Sequence, residues 1–126
     1  MVMASSVSRI PVLFVLEDGR HAEGELVRFY APKTTDALLR LMPIEGRIAR
    51  WKEEVYFETD IAMGLEKPRS KVETGSIAFW PMGSAVCVFY GQTQPYSPVN
   101  VIGLVKNGID IFRDVAAGTR IRLEKS

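Results

Sequence analysis

Apolar and polar positions along the chain fall into short runs broken by turn residues. Arg9 to Glu17 is a mostly apolar run and reads as a strand. Asp18-Gly19 follows as a hairpin turn, and His21 to Tyr30 returns as the second strand. Gly24 inside that strand marks a bulge. Pro32 breaks the strand. Thr34 or Thr35 then caps a helix, with Asp36 in its first turn. Ala37, Leu38, Leu41 and Met42 recur at spacings of three and four, which predicts one apolar helix face, and Pro43 ends it.

Strand patterns resume from Ile44 to Glu58. Val55 and Phe57 share one face there, while Glu54, Tyr56 and Glu58 share the other. Residues 60–73 have no period and read as a surface loop. Ser76 to Trp80 and Ala85 to Tyr90 form a hairpin around Pro81 and Gly83. Thr93 to Pro98 is a loop, and Val99 to Val105 a strand. Asn107-Gly108 opens a short helix with Ile109 and Phe112 on one side. Thr119 to Leu123 is the last strand. The pattern predicts a mainly β fold: a closed antiparallel barrel of about eight strands with two helices, closure being what removes exposed edges. Residues 1–8 read as a frayed terminus and 9–126 as a single domain.

Composition narrows the function. The 126 residues are 47% hydrophobic and 25% charged, which suits a single domain with its own core. The net charge is +1 and the cations are scattered, so nucleic acid and anionic membranes are poor partners. The longest early apolar run, Val12 to Leu16, is too short to span a bilayer and lacks the flanks of a secretory signal. A lone cysteine, Cys87, forms no internal disulfide and fits a cytoplasmic location. The few Asn, Gln and Cys residues fit a heat-adapted source.

Candidate chemistry is sparse. Cys87 has no base near it in sequence, and the only histidine, His21, belongs to an early strand; the thiol reads as a small buried hydrophobe. One histidine without other soft ligands makes no metal site, and no cofactor is expected. Glu53 and Glu54 are adjacent and face opposite ways on a strand, so they are no acid–base pair. If the Glu54 face lines a cleft, its carboxylate binds an amine or a peptide N–H; if not, it is a solvated strand face. Trp51, Tyr56, Trp80, Phe89, Tyr90 and Tyr96 are the main aromatic set, divided between core and the flank of a ligand cleft. Gly91-Gln92-Thr93 and Ser97-Pro98 would form its rim.

Two stretches resemble cyclophilins: Ala31-Pro32-Lys33-Thr34, and Val101 to Asp110 with its Gly103-Leu104-Val105-Lys106-Asn107-Gly108 core. A wider pattern is similar to a small prokaryotic family of cyclophilin-like proteins. It runs through Trp51-x-Glu53-Glu54-Val55-Tyr56-Phe57, Gly75-x-Ile77-Ala78-Phe79-Trp80-Pro81-x-Gly83, Cys87-x-Phe89-x-Gly91 and Ser97-Pro98-Val99-Asn100-Val101-Ile102-Gly103. The likeness covers most of residues 10–125 and implies a cyclophilin-like barrel. A prolyl isomerase of that fold uses an arginine, pocket aromatics, a glutamine and a histidine. Anchoring on Gly46-Arg47-Ile48 places Trp51 at the arginine, Tyr56 at a pocket phenylalanine and Thr59 at the glutamine, with Arg50 beside the vacated arginine. Cys87 then stands at the second pocket phenylalanine and Val99 at the histidine, and the pocket tryptophan has no counterpart.

The resemblance therefore implies a binding module for a short peptide segment or small metabolite. The candidate ligand-binding residues are Arg50, Trp51, Glu54, Tyr56, Thr59, Phe89 and Gln92. The alternative is a divergent peptidyl-prolyl isomerase using Arg50. Amide hydrolysis or ring chemistry is a third reading, by fold analogy alone. The chain is expected to act as a monomer or homodimer.

Overall fold

The structure is a computed structural model, and it describes residues 8–126. Most of the frayed terminus expected over residues 1–8 lies outside the described residues. Nine strands form one antiparallel sheet: β1 (Arg9–Leu16), β2 (His21–Val27), β3 (Ile44–Arg47), β4 (Ala49–Trp51), β5 (Glu54–Glu58), β6 (Ser76–Trp80), β7 (Ala85–Phe89), β8 (Asn100–Asn107) and β9 (Arg120–Lys125). Helix α1 spans Pro32–Leu41, and the short α2 spans Ile111–Asp114.

The strand order is β3-β9-β1-β2-β8-β6-β7-β5-β4. Its two ends, β3 and β4, are consecutive in the chain with only Ile48 between them. One extended segment thus pairs with β9 through its first half and with β5 through its second. The covalent chain itself closes the barrel, and few sheet edges are left unpaired.

Strand alternation sorts the side chains into two cores. Inside the barrel lie Phe14, Leu26, Val55, Phe57, Phe79, Val88 and Ile102 among others. On the outer face of the β7 region a smaller cluster of Ala78, Cys87, Phe89, Val99 and Val101 is buried. All five residues of β7 are buried, so this strand is covered on both faces. That outer cluster underlies the candidate site.

Several local expectations shift. The second strand ends at Val27 and continues as a 3-10 turn over Arg28–Tyr30 instead of running to Tyr30. The expected bulge is present: register slips between Glu23 and Gly24 against β8. A β-carbon on Gly24 would sit 2.9 Å from Ile77 Cδ1, so the glycine also serves close packing. Neither Thr34 nor Thr35 caps α1. The helix begins at Pro32, with Ala31 at the N-cap, and both threonines are buried within it. Leu38 is buried as the apolar face requires, but Leu41 is exposed.

The missing cap comes from Glu66, in the segment that reads as a plain loop. Its carboxylate accepts hydrogen bonds from the Lys33 and Thr34 amides at 2.9 and 2.8 Å, and from the Thr34 hydroxyl at 2.7 Å. The same segment is tied to β8: the Glu66 amide donates to Asn100 Oδ1, and Asn100 Nδ2 donates to Thr34 Oγ1 and the Gly64 carbonyl. Burial alone would raise the Glu66 carboxyl, but the Lys33 and Thr34 donors outweigh it and hold it below its usual value. Glu66→Ala is expected to cost about 1 kcal/mol, the usual worth of an N-cap. Urea unfolding of the variant measures this; an unchanged midpoint would contradict the cap assignment.

Candidate functional site

A cleft of about 220 Å³ opens on the outer face of the barrel, lined by Trp51, Glu54, Tyr56, Trp80, Tyr96 and Val99. Four pieces of chain build it. Trp51 ends β4 and Glu54 begins β5, and the two residues face each other directly across a hairpin. The two-residue turn between them holds Lys52 with φ 54°, the left-handed region. Two residues along β5, Tyr56 shares the Glu54 face. Trp80 ends β6, where the 3-10 turn Pro81–Gly83 reverses the chain. Tyr96 and Val99 come from the loop before β8.

The four rings form a connected wall. Trp51 meets Tyr96 with centroids 6.2 Å apart, Tyr96 meets Trp80 at 6.4 Å, and Trp80 meets Tyr56 at 6.0 Å. Each pair is near-perpendicular, at 79–87°, the edge-to-face arrangement that the ring quadrupoles favour. The Trp80 indole N–H donates to Ser97 Oγ at 2.6 Å, which fixes the wall to the rim loop. Tyr96 is 74% exposed and forms the open side.

Glu54 is the one carboxylate among the lining residues, and only 6% of it is exposed. It sits opposite Phe89 on β7, diagonal to Cys87. Burial pushes its carboxyl up to about 7, partly offset by a hydrogen bond with the Cys87 thiol. The same burial, followed by the nearby Glu54 charge, pushes the thiol well above its usual value. Cys87 therefore stays protonated. It is a free, buried thiol that donates to the Ala85 carbonyl at 3.9 Å beside the Glu54 carboxyl, and it reads as packing rather than a nucleophile.

The sequence-based candidates separate into two groups. Trp51, Glu54 and Tyr56 line the cleft together. Phe89 is fully buried in the outer cluster beneath. Gln92 is exposed, and its backbone N–H donates to Glu53 Oε1. Thr59 is placed elsewhere, its hydroxyl donating to the Ser84 carbonyl and accepting from the Ile61 amide. Arg50 lies across the sheet from the cleft. Its guanidinium donates to the Phe112 and Val115 carbonyls at 2.8 Å each, to the Arg113 carbonyl at 3.0 Å and to the Tyr90 hydroxyl at 2.5 Å. It clamps the end of α2 onto the barrel.

Trp80, Tyr96 and Val99 complete the cleft. The two rings stand out in sequence as aromatics, yet nothing local in the chain brings positions 80 and 96 together. Among the described residues no three His, Cys, Asp or Glu side chains come together as a metal site, and no helix is long and apolar enough to cross a membrane.

Comparison with known proteins places this architecture. The family model described as Cyclophilin-like matches residues 10–124. The solution structure of the hypothetical protein AF2241 from Archaeoglobus fulgidus is 32% identical, with a TM-score of 0.81, over 94% of this chain and 96% of that one. The structure of McbB in complex with tryptophan superposes with a TM-score of 0.76 at 15% identity, over 91% of this chain and 44% of McbB, a likeness of fold. No curated protein matches the chain at a significant level. With the family pattern spanning nearly the whole barrel, the chain belongs to the Cyclophilin-like family.

Proposed function

We propose that this protein is a non-catalytic binding module that takes a short peptide segment or a small metabolite in the outer cleft. The observation that carries the reading is the meeting of four aromatic rings and one buried carboxyl around a single open space. Apolar walls with few, fixed polar groups are the usual form of a ligand site. The cleft is smaller than the roughly 300 Å³ at which sites for drug-sized ligands begin, so it suits one side chain or one small molecule. McbB, which shares the fold, has been seen in complex with tryptophan; a small metabolite of that kind is within the range considered.

The cleft lacks the parts of a catalyst. A prolyl isomerase needs a cationic donor aimed into an apolar pocket, and no arginine lines this one. Arg50, the candidate for that role, spends its donors on α2 and Tyr90. Amide hydrolysis needs a thiolate, a metal or paired carboxylates in the cleft, and Glu54 is its single carboxylate.

Exchange NMR of a proline-containing peptide, with and without the protein, tests this reading. The expected result is line broadening of the peptide with an unchanged cis/trans exchange rate, and loss of the broadening in Trp80→Ala. Accelerated exchange would overturn the non-catalytic reading. If the peptide shows neither effect, a small metabolite is the ligand class that remains, and a metabolite screen with no hit would overturn the binding role.

A further inference from the structure

The cleft has an electrostatic bias that the shape alone does not convey. An aromatic ring carries negative potential on its faces and positive potential at its edge. The most polar edge in the wall, the Trp80 indole N–H, is already committed to Ser97 Oγ. Aromatic rings make up most of the lining: Trp51, Tyr56, Trp80 and Tyr96. The only other charge-bearing group among the lining residues, beyond the two tyrosine hydroxyls, is the Glu54 carboxyl. No lysine, arginine or histidine lines the space. The lining thus combines aromatic rings with one acid and no cationic side chain.

The chain itself shows what such a wall attracts. The Lys52 ammonium sits 4.9 Å from the centroid of the Trp51 ring, within the roughly 6 Å reach of a cation–π contact. Lys52 is exposed and is not a lining residue, so it marks the preference of the ring without filling the cleft.

Granted the binding role above, we infer that the cleft selects a ligand by an alkylammonium group, with Glu54 as counter-ion and the Trp51, Tyr56, Trp80 and Tyr96 rings as walls. A free aliphatic amine and the lysine side chain of a peptide carry the same chemistry. An ammonium suits the site better than a guanidinium. Only 6% of Glu54 is exposed, and an ammonium needs a single acceptor where an arginine fork uses a two-oxygen edge.

The pairing predicts how binding depends on pH. Cys87 from β7, Tyr56 from its own strand, Tyr96 from the rim loop and Lys52 from the hairpin turn are the titratable groups around Glu54. Arg69, whose backbone pairs with Val99, turns its guanidinium to the Tyr30 ring instead. Burial holds the empty-site carboxyl near neutrality, at about 7. A bound cation favours the ionised form, so binding releases a proton and tightens as pH rises through that value. A ligand that instead accepts a hydrogen bond from protonated Glu54 shows the opposite trend.

The test compares choline with its uncharged carbon isostere, 3,3-dimethylbutan-1-ol, and Nα-acetyl-lysine amide with its norleucine counterpart. Each is titrated into the protein while the Trp51 and Trp80 indole N–H signals are followed by NMR. The expected result is affinity at least about tenfold higher for at least one cation than for its neutral partner. That preference should grow from about pH 6 to about pH 8 and disappear in Glu54→Gln. Whichever pair responds tells a small free alkylammonium from a peptide lysine. Equal binding of cation and neutral partner in both pairs, or affinity that falls with rising pH, would overturn the ammonium inference and leave the binding role standing. No response to any of the four compounds would overturn it too, and the peptide and metabolite experiments above then decide the binding role separately. The comparison within the wild-type protein needs no variant, so it stands whatever Glu54→Gln does.

Discussion

Glu54→Gln is expected to stabilise the protein at about pH 8 by about 3 kcal/mol and to flatten its loss of stability between about pH 5 and about pH 8. The carboxyl has an ordinary value of 4.5 when the chain is unfolded and about 7 when folded, because burial disfavours its charge. Between those two values the folded protein holds a proton that the unfolded chain has released. Stability therefore falls as pH rises through that window and levels off above it. Glutamine keeps the shape of the neutral acid and an acceptor oxygen for the Cys87 thiol, but never ionises. Glu66 has the opposite sign, since its carboxyl is held low; its contribution is lost only as pH falls below the ordinary carboxylate value. Urea titrations of both proteins at several pH values measure the difference directly. Parallel profiles would mean that Glu54 is well solvated, and the cleft floor would have to be redrawn.

Arg50→Ala is expected to destabilise the protein by about 4 kcal/mol while leaving the cleft unaltered. Hydrogen bonds from a charged group are worth about 1.5–3 kcal/mol each, with less than full additivity, and this guanidinium makes four. Three go to carbonyls at the end of α2 and one to the Tyr90 hydroxyl, which in turn donates to the Lys52 carbonyl. Its guanidinium carbon also lies 5.4 Å from the Tyr90 ring centroid. Lysine is a poor substitute, because a single ammonium cannot span three separated carbonyls. Arg50→Lys should therefore recover only part of the loss, and it provides a folded variant if alanine does not. Thermal unfolding reads the stability, and ligand titration reads the cleft. A stable Arg50→Ala that loses ligand binding would place this arginine at the functional site after all.

The two residues show where sequence reasoning reaches its limit. Strand existence was legible because apolar runs and turn residues are local signals: Asp18-Gly19, the Gly24 bulge and the Pro81 turn all stand where the pattern puts them. The Trp51–Glu54 hairpin was not, since its turn is Lys52-Glu53 and lacks the glycine or asparagine that usually marks such a reversal. Without that turn, Trp51 and Glu54 read as neighbours along a run and not as partners across one. The cap of α1 was invisible for a related reason. Two threonines stood ready at the right place, but the acceptor comes from Glu66, 32 residues from Thr34. Alternation does put Arg50 and Trp51 on opposite faces; which face met α2 and which met the rim loop depended on long-range packing. Trp80 and Tyr96 likewise became one wall only through the folding of the loop before β8.

Where a ligand sits on the barrel decides the role of the outer cleft. The most direct measurement is a residue-by-residue NMR shift map with the tightest-binding of the peptides, amines and metabolites tested. The largest changes are expected at Trp51, Glu54, Tyr56, Trp80 and Tyr96, with Arg50, Tyr90 and Phe112 essentially still. Changes centred instead on Arg47, Arg120 and Arg122, which line a second depression on the barrel, would contradict it.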